Sequence, residues 1–211
     1  MPQPPRRPPD VTEVVAHNRS ARTRHVALRA ALGTTLIALP FALIASGVPN
    51  TFLTVLPIVP GLFVLLLLLL RLRHGRRLDV CERVLRTYPL EYRGRVDHRG
   101  SDWLLLGTVH TLKLPIRGRH GAGEMRALNA SLTRRRPRGT EAGAWFAGDP
   151  AFGGVLIVPA TGDMLFLQPA DWAKYEAERT EADPQRRARA AEAGITDLLE
   201  REPSTVGALG G

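Results

Sequence analysis

The chain has 211 residues, a formal net charge of +9 and 44% hydrophobic residues, room for a membrane unit and one modest soluble domain. Its single cysteine, Cys81, excludes an internal disulfide and a cysteine-built zinc or iron–sulfur site and fits a reducing compartment. The six histidines show neither i, i+4 pairing nor carboxylates at ligand spacing, so no metal and no other cofactor is expected.

Charge is distributed unevenly. Ten arginines against Asp10 and Glu13 give residues 1–77 a charge of +8. Residues 78–169 sum to +4 and residues 170–211 to −3. Most of the excess flanks an apolar stretch and does not lie on a recognition helix, so nucleic acid is not an expected partner.

In chain order, residues 1–25 read as a disordered basic segment, Pro-rich through Asp10. From Ala30 to Leu70 there is no charged residue, roughly twice the 20 residues that one membrane crossing needs. Gly47, Val48, Pro49 and Asn50 break that run. A transmembrane hairpin over 26–77 follows, with spans at about 26–47 and 51–72. The second span ends in six leucines, Leu65 to Leu70, while Pro57 and Pro60 predict a kink in its first half. In the first span Ala30, Thr34, Ala38, Ala42 and Ser46 recur every four residues. They form a small-residue face suited to packing on the second span or on another copy of the chain, if it is more than an Ala-rich accident.

Arg6, Arg7, Arg19, Arg22, Arg24 and Arg29 precede the first span, and Arg71, Arg73, Arg76 and Arg77 follow the second. The positive-inside rule therefore predicts a multi-pass protein of the plasma membrane with both termini cytoplasmic. A cleaved signal peptide is the poorer reading, because its basic lead would be too long and a second apolar run follows at once.

Beyond the membrane, Leu78, Cys81, Val84, Leu85 and Tyr88 fall at helical spacing up to Pro89. Residues 78–169 then read as a cytoplasmic β-rich domain. Leu90 to Val96 alternates, and further strands are expected at Trp103 to Leu106, Thr111 to Ile116, Ala144 to Ala147, Val155 to Val158 and Met164 to Leu167. The last two join as a hairpin through Pro159 to Asp163. Glu124 to Leu132 suits helix or strand. Residues 170–202 read as helices, the first leaning on the sheet, the second capped by Asp183 and Pro184, stopped at Gly194 with Ile195 placed to pack back, and expected to be solvated or weakly held. Residues 203–211 read as a disordered tail. The fold class is thus α+β: a two-helix transmembrane hairpin, a small antiparallel barrel or sandwich, and C-terminal helices.

Chemistry is harder to place. No P-loop, dinucleotide fingerprint, nucleophile elbow or zinc motif is present, so no catalytic, cofactor-binding or metal residue is assigned and the chain is not expected to be an enzyme. Ser101, His110 and Asp149 could be named as a triad, but nothing flanks Ser101 as an activated nucleophile. Arg134, Arg135, Arg136 and Arg138 form the densest basic cluster of the soluble part. With Arg71, Arg73, Arg76 and Arg77 they are candidate contacts to anionic lipid headgroups, against the blander reading of a solvated loop.

Val84 to Pro89 and Trp145 to Gly154 carry a resemblance. Through them the chain resembles a family of two-span membrane proteins of unknown function from streptomycetes and related actinobacteria, loosely from the first span to about Pro169. That family has no established activity, so the resemblance implies the architecture and source and no functional residue. The leading expectation is a membrane-tethered module that engages the bilayer or a protein partner, with self-association through the first span as a variant. A pleckstrin-homology-like arrangement is a fold analogy for the β domain. The alternative is a membrane-anchored enzyme whose site no motif reveals. A transporter fits poorly, since the spans hold no ionisable residue beyond Arg29.

Overall fold

A computed structural model describes residues 7–47, 56–73, 76–104, 107–115, 122–131 and 137–196. The chain divides into two compact units, Met1–Arg19 with Arg76–Gly211, and Ser20–Gly75.

The first unit opens with the start of helix α1 (Val11–Ala45). Asp10 caps it: its Oδ1 accepts from the N–H groups of Thr12 at 2.8 Å and Glu13 at 3.4 Å. The disordered lead expected over residues 1–25 is therefore corrected to a helix from Val11 onward. Val14, Val15 and Asn18 are 8%, 7% and 0% exposed, so this short segment is part of the domain core. Asn18 does most of the fastening. Its Nδ2 donates to the carbonyls of Val14 and Gly162, at 2.8 and 2.7 Å, and its Oδ1 accepts from the N–H of Met164 at 3.1 Å.

Helix α3 (Arg76–Thr87) buries the predicted stripe of Leu78, Cys81, Val84, Leu85 and, just beyond its end, Tyr88. Seven strands follow: β1 (Glu91–Arg93), β2 (Asp97–Leu104), β3 (Gly107–Pro115), β4 (Ala122–Asn129), β5 (Ala144–Asp149), β6 (Gly153–Ile157) and β7 (Met164–Pro169). The ambiguous segment after Glu124 is thus a strand as far as Asn129. All pairs are antiparallel, in the order β1-β5-β6-β7-β4-β3-β2.

That order makes the sheet curl. The strands at its two margins, β1 and β2, are consecutive in the chain and joined by Gly94, Arg95 and Val96 alone. A link this short spans at most about 14 Å, so the two margins must approach each other. Val96 N–H donates to the Thr140 carbonyl at 3.3 Å and the Tyr92 hydroxyl to the Ala142 carbonyl at 2.8 Å, pinning the link. The architecture is one curled half-barrel sheet, not a two-sheet sandwich.

Each face of the sheet is buried by a different means. One face packs Ala147, Val155, Ile157, Met164 and Phe166 against apolar residues of α1, α3 and the C-terminal helices. The other gathers Leu112, Leu114, Met125, Phe146, Leu156, Leu165 and Leu167 into a cluster of strand and linker residues, which a sheet can bury without a helix only by folding over itself. All of β6 is buried for this reason.

After β7 come α4 (Glu176–Thr180) and α5 (Pro184–Glu192). Asp183 caps α5 by accepting from Gln185 N–H at 2.7 Å and Arg186 N–H at 2.9 Å. Gly194, at φ 70°, ends it and turns Ile195 inward. Within this helix only Ala190 is buried, so it is largely solvated, and it is held to the core by Ala190 and by Ala193 and Ile195 just beyond its end, all 0% exposed.

The second unit contains the remainder of α1 and helix α2 (Ile58–Arg73). Gly47, at φ 80°, follows the end of α1, as the glycine break predicts. Helix α2 starts at Ile58, later than the expected Thr51, and residues 51–55 lie outside the described set. Pro60 consequently falls in its first turn, where a missing N–H costs nothing, in place of the predicted kink. The two helices meet at glycines. A Cβ on Gly33 would lie 2.7 Å from Leu65 Cδ2, and one on Gly61 would lie 2.9 Å from Ile37 Cγ1 and 3.1 Å from the Gly33 carbonyl.

Candidate functional site

One surface property separates the two units. Among the described residues thirteen large hydrophobic side chains are exposed, of which twelve belong to α1, α2 and the turn before α2; Trp172 is the other. Phe41, Ile44, Val59 and Leu69 are 60% to 66% exposed, and only 11% of the apolar window of α1 is buried. Water-soluble domains rarely expose contiguous apolar area on this scale. Among the described residues one helix, α1, is long and apolar enough to cross a membrane. Helix α2 is apolar but has 16 residues, about 24 Å against a hydrocarbon core of about 30 Å. One candidate span is thus shown, and the second is not.

The predicted packing face lies elsewhere than the seam between these helices. Thr34, Ala38, Ala42 and Ser46 are exposed, while Gly33 and Pro40 are buried. Four-residue spacing selects a helix face but cannot say which face meets a neighbour in the same chain.

The candidate lipid contacts fall in both units. Arg71 and Arg73 stand in the last turn of α2, and Arg76 and Arg77 in the first turn of α3. Arg77 is half-buried and Arg138 is exposed. Arg134, Arg135 and Arg136 lie outside the described residues.

Within the β domain three polar constellations are built by the fold. At the first, Asp149 ends β5 and is 8% exposed. Its carboxylate accepts from Arg186 Nε at 2.9 Å and Nη2 at 3.0 Å, and Ala151 N–H donates to it at 3.0 Å. This bidentate pair ties α5 to the sheet. Asp149 is therefore committed to Arg186, and the named triad of Ser101, His110 and Asp149 is not assembled.

The second constellation is a cavity of about 10 Å³ lined by Arg93, Leu114, Pro115, Gly123, Met125, Phe146 and Pro150, room for about one water. Arg93 pairs with Glu91 at 2.8 Å and lies over Phe146 at 5.6 Å.

The third was not legible in the sequence. Ser101 Oγ stands 2.7 Å from His110 Nδ1 and 3.0 Å from His98 Nε2. The two imidazole centroids are 5.6 Å apart, with ring planes at 55°. In a regular strand His98 and Ser101, three residues apart, would point to opposite faces. A bulge between His98 and Gly100 inserts one residue, so that His98 pairs with Leu112 and Ser101 with His110 on one face. His110 is 1% exposed, and Thr108, next on that face of β3, is 6% exposed with Oγ1 lacking a hydrogen-bond partner.

Cys81 takes no part in these constellations. It is fully buried, and burial raises its thiol from 9.0 to about 12, the signature of an inert structural cysteine.

Comparison with protein-family models, with curated proteins and with solved structures finds no match to this chain.

Proposed function

We propose that the protein is a two-span plasma-membrane protein whose curled β domain is a cytoplasmic module, tethered at the bilayer to engage its lipid surface or a protein partner. The observation that carries this reading is the segregation of exposed apolar area onto α1 and α2, against a first unit in which, among the described residues, Trp172 is the one exposed large hydrophobic side chain. Helix α2 serves as the second crossing, its short length met by local thinning of the bilayer. The arginines before α1 and after α2 favour the side on which both termini and the β domain reside. Arg71, Arg73, Arg76 and Arg77 then sit at headgroup level, where each is worth about 1 kcal/mol against anionic lipid. Thr34, Ala38, Ala42 and Ser46, facing away from α2's glycine contact, are the face available to a second copy. The actinobacterial two-span family that the sequence resembles has the same plan, and no enzymatic or nucleic-acid role enters this reading.

The test is a pair of C-terminal reporter fusions to the full chain, a cytoplasm-dependent fluorescent protein and a periplasm- or exterior-dependent phosphatase, with membranes washed in alkaline carbonate. The expected outcome is a fluorescent, phosphatase-negative chain that stays in the membrane pellet. Phosphatase activity, or release into the wash, overturns the proposal.

A further inference from the structure

The geometry points to a mononuclear site for a divalent transition-metal ion, zinc or cobalt in class, held between His98 Nε2 and His110 Nδ1. Both nitrogens already aim at one point, the Ser101 hydroxyl, from 3.0 and 2.7 Å. Imidazole ligands bind such ions at about 2.0–2.1 Å, which puts the metal roughly 3.2 Å from each ring centre. The observed centroid separation of 5.6 Å then corresponds to an angle of about 120° at the metal, near the tetrahedral range of zinc. No large ring movement is required. The Ser101 hydroxyl has only to rotate aside, where it meets a water completing the coordination shell.

Two further features favour an ion there. The bulge in β2 serves to bring His98 to the face that carries His110, and bulges commonly re-aim side chains at functional places. The hydroxyl of Thr108, one position along the same face of β3 from His110, is buried without a hydrogen-bond partner, an unmet polar group next to the pair. Two imidazoles are fewer than a structural zinc site uses, and no group of three or more His, Cys, Asp or Glu is present among the described residues. The site is thus an open one, with exchangeable positions. Imidazole binds such an ion through a nitrogen that carries no proton, so the ion competes with protons for the pair.

The experiment uses the full chain in detergent, carrying no histidine tag and stripped with a chelator. Cobalt(II) is titrated and followed by its visible absorption, then displaced by zinc. One ion per chain is expected. His98 is half-exposed, so His98→Ala should fold, as checked by metal-free thermal unfolding, and should weaken binding at least tenfold. Ser101→Ala should bind within threefold of the parent, and His17→Ala should be unchanged. Absence of a cobalt spectrum in the parent chain overturns the proposal. So does undiminished binding in His98→Ala, or loss in Ser101→Ala with retention in His98→Ala.

Discussion

Replacing Asn18 by leucine tests whether the start of α1 is structural. Leucine has the same branched skeleton of four side-chain heavy atoms but cannot serve Gly162 and Met164, which Asn18 bonds at 2.7 and 3.1 Å across a sequence separation of more than 140 residues. Of the three hydrogen bonds lost, the two long-range ones are each worth about 1 kcal/mol net, the Val14 carbonyl keeping its place in the helix ladder, and the buried Met164 N–H is left without this partner at a cost of about 1–3 kcal/mol. Added apolar burial by leucine offsets about 1 kcal/mol of this, leaving a net destabilisation of about 3 kcal/mol. For a domain of this size that lowers the Tm by about 6–12 °C. The assay is thermal unfolding of the full chain in detergent, with hydrogen exchange read at residues 11–19 and 157–165. The Asn18→Asp variant adds a signature. A carboxylate can still accept from Met164 N–H but repels the carbonyls of Val14 and Gly162, whereas the protonated acid can donate to one of them. Its folded pKa is therefore raised above the usual value near 3.9, and the stability it recovers is present at low pH and lost as pH rises through that folded pKa. Asn18→Leu within about 0.5 kcal/mol of the parent, with unchanged exchange in both segments, would refute the docking of α1.

Two more outcomes are expected. Gly61→Val should separate the two apolar helices, because even its Cβ lies 3.1 Å from the rigid Gly33 carbonyl; overpacking of this kind costs about 1–3 kcal/mol, measurable as a lowered Tm of the chain in lipid nanodiscs. Cys81, its thiol raised by burial from 9.0 to about 12, should resist maleimide at pH 7.5 until the chain is unfolded. The folded state holds that proton more tightly than the unfolded one, so the contribution is fully present below pH 9 and lost as pH rises towards about 12, reaching about 4 kcal/mol. Alkaline titration of Cys81→Ala beside the parent measures it, and parallel curves would contradict the assignment.

Much of the β domain could be read from residue alternation, because strands with one face buried write their period into the chain. Leu112 and Leu114 are legible in this way, between half-buried Thr111 and Lys113, whereas β6 and β7, buried on both faces, read as short continuous apolar runs. Alternation fails where a bulge resets it, and that is why β2 was expected only from Trp103 although it begins at Asp97, and why His98 gave no sign of its neighbours. The two ends of the domain were hidden for a different reason. Residues 11–19 are rich in polar side chains, and a single buried asparagine fastening a helix to a distant hairpin has no local signature. At α5 the buried residues are alanines, which hydrophobic periodicity hardly registers. In the apolar helical unit, composition located the apolar run, but Gly33 and Gly61 were passed over for a more regular stripe, since close approach depends on which glycines face each other and not on spacing alone.

The Asn18 clasp also has a temporal meaning. Its helix is made near the beginning of synthesis, whereas Gly162 and Met164 emerge some 145 residues later. At about 5–20 residues per second, this is a wait of roughly 7–30 seconds. Strand β1 likewise waits for β5 before it has a partner. Both apolar helices, α1 and α2, are complete well before either event, so the apolar unit is made first and the β domain locks afterwards, once its last strands have emerged.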